Sequence, residues 1–204
     1  MIDGIDGLSS TILIVATAAL AWLALQAGHT LNAGLLLIAL SAATGFWLIN
    51  ARLPWNKKAR SFLGDSGSMF MGMFLAWQFI ELGNGDDRAI YPMTAVWLMG
   101  VPLIDTLRLM SQRWLRGGSS MQADQYHLHH AFLKADFKVY ETAIMITALV
   151  LFTTAIGIAG QMLAWPEYLM FYGYIAFCLA YLAVMHRCWR HRRFMWRDVA
   201  EELG

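Results

Sequence analysis

Long apolar runs separated by short polar stretches dominate this chain from end to end. Six runs, at about 10–27, 32–50, 67–82, 91–110, 141–163 and 167–186, approach the roughly 20 residues that a helix needs to cross about 30 Å of hydrocarbon. The third is the shortest and ends near Glu81. Small residues such as Gly72, Gly100 and Gly157 allow helices to approach closely, and Trp and Tyr gather near several run ends, where a membrane interface favours them. The pattern predicts an all-α integral membrane protein, a polytopic bundle of about six transmembrane helices. No internal repeat divides it, so residues 1–204 read as a single transmembrane domain with cytoplasmic loops at about 51–66 and 111–140.

Composition strengthens this reading. Of the 204 residues, 58% are hydrophobic and only 14% charged, and the mean hydropathy is +0.48. Soluble domains run nearer to 45–50% apolar and about 25% charged. The net charge of +1 conceals a segregation. Fourteen of the fifteen Lys and Arg residues fall in the loop after the second run, in the region 108–140, or in the tail; the remaining one, Arg88, lies in GNGDDR. With six crossings, the positive-inside rule places both termini and both larger loops in the cytoplasm. Nothing in this distribution points to a nucleic-acid partner. Cys178 and Cys188 are ten residues apart on one run, about 15 Å along a helix, too far for a disulfide.

Four polar groupings carry the candidate chemistry, and on this topology all four emerge at the cytoplasmic face. Asp3 and Asp6 in IDGIDGL are spaced to share one side of a helical turn; they serve either as N-terminal caps or as paired carboxylates facing a cation. Asp65, between glycine and serine in FLGDSGS, offers a hard oxygen ligand beside the free N–H groups of a helix start, a setting that suits a metal-bound phosphate as well as a plain cap. Asp105 in PLIDTLR lies inside an apolar run, where Arg108 at i+3 is a natural ion-pair partner. The segment ADQYHLHH holds Asp124 with His127, His129 and His130. Histidines so placed bind phosphate, transfer protons or ligate zinc, although the spacing is not that of common zinc helices.

The ordered series IDGIDGL, FLGDSGS, PLIDTLR and HLHH resembles the C-terminal part of the polyprenyl-phosphate N-acetylhexosamine-1-phosphate transferases, most closely the undecaprenyl-phosphate N-acetylglucosamine-1-phosphate branch. The similarity runs over essentially the whole chain. It implies a Mg²⁺-dependent reaction, with Mn²⁺ as an alternative ion, between a UDP-sugar and undecaprenyl phosphate at the cytoplasmic face of a bacterial inner membrane. It assigns Asp65 to the metal, Asp3, Asp6, His127, His129 and His130 to catalysis, and Gly4, Ile5, Phe62, Ser66 and Asp124 to substrate binding.

This chain departs from the family pattern at several points. The family's earlier DDxxD loop has no counterpart, Gln125 stands where an arginine follows the aspartate, and Ser120 where a proline is common. The resemblance therefore implies either part of a longer reading frame or a remnant inactive by itself. The expected partners are membrane lipid together with a separate N-terminal half or a second copy in a homodimer. A transporter subunit is the rival class, but it would carry its ionisable groups near the bilayer midplane rather than at one face.

Overall fold

In hydrocarbon a backbone has no water to bond, so each long apolar run must close its own hydrogen bonds as a helix. The computed structural model describes residues 7–51, 59–115 and 138–202. Seven helices form among them: α1 (Leu8–Gln26), α2 (Thr30–Asn50), α3 (Gly64–Gly83), α4 (Pro92–Leu98), α5 (Gly100–Leu115), α6 (Val139–Met162) and α7 (Glu167–Glu202). No strand occurs among these residues.

Four helices are long and apolar enough to cross a membrane: α1, α2, α6 and the Glu167–Arg187 part of α7. Counting the bent pair α4–α5 as one span gives five. The third predicted span does form a helix, α3, but its polar start at Gly64–Ser68, with Gln78 and Glu81 further on, keeps it out of that set.

The continuous span expected over 91–110 is broken. α4 and α5 meet at an angle of 80°. Pro102 supplies the cause, because it has no N–H to give the Leu98 carbonyl four residues earlier and its ring crowds that carbonyl. The chain turns at Met99 instead, and Pro102 falls in the first turn of α5, where a missing N–H costs nothing. Tyr174 of α7 donates its hydroxyl to the Gly100 carbonyl at 3.0 Å, and Trp97 Nε1 donates to the Met170 carbonyl at 3.1 Å. The break is thus closed by the Tyr174 side chain reaching in from α7 and by the Trp97 side chain of α4 reaching across to it.

α1 is the central helix. Leu8 and Ile12 pack with Val101, Ile104, Ile146, Val150, Tyr181 and Met185. About two to four turns further along, Leu20, Leu23 and Ala24 pack with Leu36, Leu82, Ile90 and Leu98. These two clusters define the two ends of the bundle. At the far end, the 84–91 loop is fastened on both sides: the His29 ring donates to the Asp87 carbonyl at 2.8 Å, and Arg88 meets Glu167 at 3.5 Å. Gln161 Oε1 accepts from Tyr91 N at 2.8 Å and Thr94 Oγ1 at 2.9 Å, while its amide nitrogen donates to the Ala89 carbonyl at 3.3 Å.

Of the glycines expected at close helix contacts, Gly157 meets the expectation and Gly72 does not. A Cβ at Gly157 would stand 2.9 Å from Trp97 Cβ and 3.4 Å from the Thr94 carbonyl, whereas one at Gly72 would meet nothing within 4 Å. Gly157→Ala is expected to cost about 1–3 kcal/mol through overpacking, and Gly72→Ala to cost no stability. Thermal unfolding of the two variants in detergent checks the difference.

Candidate functional site

The end of the bundle that holds Leu8 and Met185 also holds the described parts of the polar motifs. Asn50, the last residue of α2, lies at its centre and is 1% exposed. Its Oδ1 accepts from the Gly7 N–H at 2.7 Å, and its Nδ2 donates to the Ser61 carbonyl at 2.7 Å. One buried amide therefore joins the end of the IDGIDGL motif to the segment leading into FLGDSGS. A backbone bond from Arg60 N to the Ile49 carbonyl at 3.2 Å reinforces the second contact.

Gly7 is held from its other side too. Its carbonyl accepts from Thr11 N at 3.0 Å, Thr11 Oγ1 at 2.6 Å and Ser10 Oγ at 3.1 Å, and Thr11 Oγ1 accepts in turn from Trp47 Nε1 at 2.9 Å. Gly7 has φ +84°, and a Cβ there would stand 2.9 Å from Ala51 Cβ. Both the left-handed backbone and the close approach require glycine. The turn that ends the first acidic motif is thereby fixed against the end of α2.

After Ser61, the chain enters α3 through Gly64, at φ +66°. Asp65 occupies the first turn of α3 and is exposed. Ser68 Oγ donates to the Asp65 backbone carbonyl at 3.0 Å, which leaves the carboxylate itself with no hydrogen bond among the described residues. Ser66 is exposed beside it, and Phe62 is 69% exposed. An uncommitted carboxylate at the positive end of a helix is a hard anionic donor suited to a divalent ion and to the phosphate that the ion carries. Among the described residues no three His, Cys, Asp or Glu side chains gather to hold a metal, so Asp65 is the metal-binding candidate within them.

Asp3, Gly4, Ile5, Asp6, Asp124, His127, His129 and His130 lie outside the described residues. The His-bearing segment leaves the described structure after α5 and returns at Lys138, where Glu141 Oε2 accepts from the Lys138 N–H at 2.8 Å and starts α6.

Asp105 of PLIDTLR takes the structural role its neighbour suggested. Arg108 donates to Asp105 Oδ1 at 3.0 Å, with the arginine side chain 3% and the aspartate side chain 14% exposed. Tyr181 of α7 donates its hydroxyl to the same oxygen, also at 3.0 Å. A charged pair and a phenol thus bind α5 to α7. Asn50, Trp47 and Tyr181 had drawn no attention in the sequence; an Asn ending a predicted span, next to a basic loop, was the one available signal for Asn50.

Known proteins carry this arrangement further. Residues 1–83 match the family model for glycosyl transferase family 4, and 198 residues are 30% identical to the undecaprenyl-phosphate alpha-N-acetylglucosaminyl 1-phosphate transferase of Yersinia pestis, covering 97% of this chain and 54% of that protein. The chain is similar to glycosyl transferase family 4 over residues 1–83 and to this transferase over nearly its whole length. The proteins of the same name from Pasteurella multocida (strain Pm70) and Escherichia coli (strain K12) are 30% identical over 152 residues and 28% over 198, covering 74% and 97% of the chain and 43% and 54% of those proteins. The chain spans about half the length of the curated relatives it matches. No solved structure matches it.

Arg108→Ala is expected to cost this chain about 1–3 kcal/mol, because it leaves the half-buried Asp105 carboxylate without the Arg108 guanidinium. The double change Asp105→Leu with Arg108→Leu costs less than the single one, since no lone charge remains. Unfolding titrations in mixed micelles compare the two.

Proposed function

We propose that this chain carries the Asp65 half of a site that moves N-acetylhexosamine 1-phosphate from a UDP-sugar to undecaprenyl phosphate, giving a lipid-linked sugar pyrophosphate and UMP for cell-envelope polysaccharide. The observation that carries the reading is the tethering of two acidic motifs to one buried amide, at the end of the bundle where the Lys- and Arg-rich segments emerge. The relatives' names support the acceptor and the sugar phosphate. N-Acetylglucosamine is the expected sugar.

In the reaction a phosphate oxygen of the lipid attacks the β-phosphorus of the UDP-sugar. The bond from that phosphorus to the oxygen bridging it to the α-phosphate breaks, and UMP leaves with the electron pair. Two anions must approach each other, so the site has to supply positive charge and fixed donors. Mg²⁺, or Mn²⁺ in its place, supplies that charge when bound. Asp65 is the described residue that would hold it. Asp3 and Asp6 on the neighbouring motif would serve catalysis near the nucleotide and the ion, His127, His129 and His130 would do so by donating to phosphate oxygens, and Gly4, Ile5, Phe62, Ser66 and Asp124 would contact the substrate. The distribution of Lys and Arg supports a cytoplasmic site with both termini on that side. Because the chain spans about half of its relatives, the activity is proposed for it together with the remaining family helices, in one polypeptide or as a companion half.

The test is release of UMP from UDP-N-acetylglucosamine by membranes that contain the protein as the cell produces it, supplied with undecaprenyl phosphate and Mg²⁺. Chelation abolishes the release. Asp65→Ala lowers the rate by about 10²-fold or more, and His129→Ala lowers turnover by about 10²-fold without reducing membrane accumulation. Release that persists unchanged in Asp65→Ala overturns the metal assignment. A parent membrane that releases no UMP, with every component supplied, overturns the function.

A further inference from the structure

We infer that Asn50 is a positioning residue that sets the spacing between the two acidic motifs of this site. The inference rests on the transferase reading above for its chemical consequence, but its geometry stands on its own. Asn50 belongs to neither motif, and its side chain is buried, so it is not displayed to a ligand. Its two amide atoms point in opposite chemical senses at two different backbones: the oxygen to the N–H of Gly7, the residue after Asp6, and the nitrogen to the carbonyl of Ser61, four residues before Asp65.

Only a side chain with a donor and an acceptor of this length makes both contacts. Aspartate in its ionised form keeps the acceptor for Gly7 but turns a second acceptor toward the Ser61 carbonyl. Leucine keeps the volume and loses both bonds, which leaves the buried Gly7 N–H without a partner and turns the carbonyl of the exposed Ser61 over to solvent. The adjoining contacts show that the clamp works on backbone already stiffened nearby. The Gly7 carbonyl is held by Ser10 and Thr11, and Trp47, three residues before Asn50 on α2, ties Thr11 to the same helix. Arg60 N to the Ile49 carbonyl also ties the segment 59–63 to α2. Loss of the amide donor alone releases the Asp65 side, because the Gly7 contact needs only the acceptor.

A group that fixes two ligand-bearing backbones against each other acts on the rate and on the metal requirement rather than on binding of the donor sugar. Displacement of about 1 Å at a reacting site costs up to about 10²-fold in rate. Asn50→Leu is expected to lower kcat by about 10- to 100-fold and raise the Mg²⁺ concentration for half-maximal rate by about 10-fold, with KM for UDP-N-acetylglucosamine changed by less than about threefold. Asn50→Asp falls between it and the parent.

Two measurements without turnover accompany these. Amide hydrogen exchange speeds up in peptides covering 59–63 in Asn50→Asp, and in both 7–11 and 59–63 in Asn50→Leu, while peptides from α6 are unchanged. The rise in melting temperature that Mg²⁺ gives the parent protein shrinks in both variants. If Asn50→Leu fails to accumulate, Asn50→Asp, which preserves shape and the Gly7 contact, carries the comparison. Unchanged exchange at 59–63, or unchanged kcat and Mg²⁺ requirement in an active protein, overturns the positioning role and leaves the transferase standing. A rise in KM alone makes Asn50 a donor contact and overturns it equally. A parent protein that releases no UMP but shows the expected exchange pattern overturns the transferase reading and keeps the clamp.

Discussion

Satisfaction of polar groups in the absence of water governs how this chain departs from plain helical rods. In hydrocarbon every N–H and C=O left over by a break needs a partner within the protein, and each is worth several kcal/mol if left alone. The 80° turn between α4 and α5 is tolerated because Tyr174 reaches the Gly100 carbonyl. The turn at Gly7 is tolerated because Asn50 takes its buried N–H. The Tyr91 N–H and the Ala89 carbonyl are both met by the amide of Gln161. The irregular parts of the structure sit where a neighbouring helix presents a suitable side chain.

The same requirement separates the two ends of the bundle in character. At the far end the fastenings are made to a short loop: His29 to Asp87, Arg88 to Glu167, and Gln161 to the strand of backbone between them. They hold a turn in place and leave the loop's acidic residues, Asp86 and Asp87, exposed to solvent. At the motif-bearing end the fastenings are more deeply set. Asn50 joins three segments through one side chain, and the Asp105–Arg108–Tyr181 group joins α5 to α7 along the helix that leads to the His-bearing segment. A charged pair removed from water adds little net stability in many proteins, yet it fixes geometry because neither partner tolerates being alone.

A site for two phosphate-bearing reactants at a membrane surface has a simple electrostatic demand: anionic ligands for a divalent ion on rigid backbone, with cationic side chains around them. For the proposed transfer, the exposed carboxylate of Asp65 would answer the first part within the described residues, at a helix start whose own dipole favours phosphate. The rigidity comes from elsewhere in the chain. Gly7 and Gly64 adopt positive φ on either side of the Asn50 contacts, so both motifs enter their helices through turns that glycine alone makes without strain.

The sequence by itself determined the membrane class, the approximate limits of the helices, the pairing of Asp105 with Arg108 and the family that the four motifs resemble, because hydrophobic run length, i+3 spacing and motif order are all local properties of the chain. It treated two runs as plain spans where the structure shows more detail: α3 opens on polar residues, and the run 91–110 is bent at the α4–α5 break. It also put Gly72 at a helix contact where the fold leaves open space. What only the tertiary structure decided is which distant residues share a bond. Nothing in the letters 7, 50 and 61 marks them as neighbours, since their contact arises from the return of α2 alongside α1 and the direction in which the chain leaves α2. A hydrogen bond across 43 residues is a property of packing, and packing depends on every helix at once.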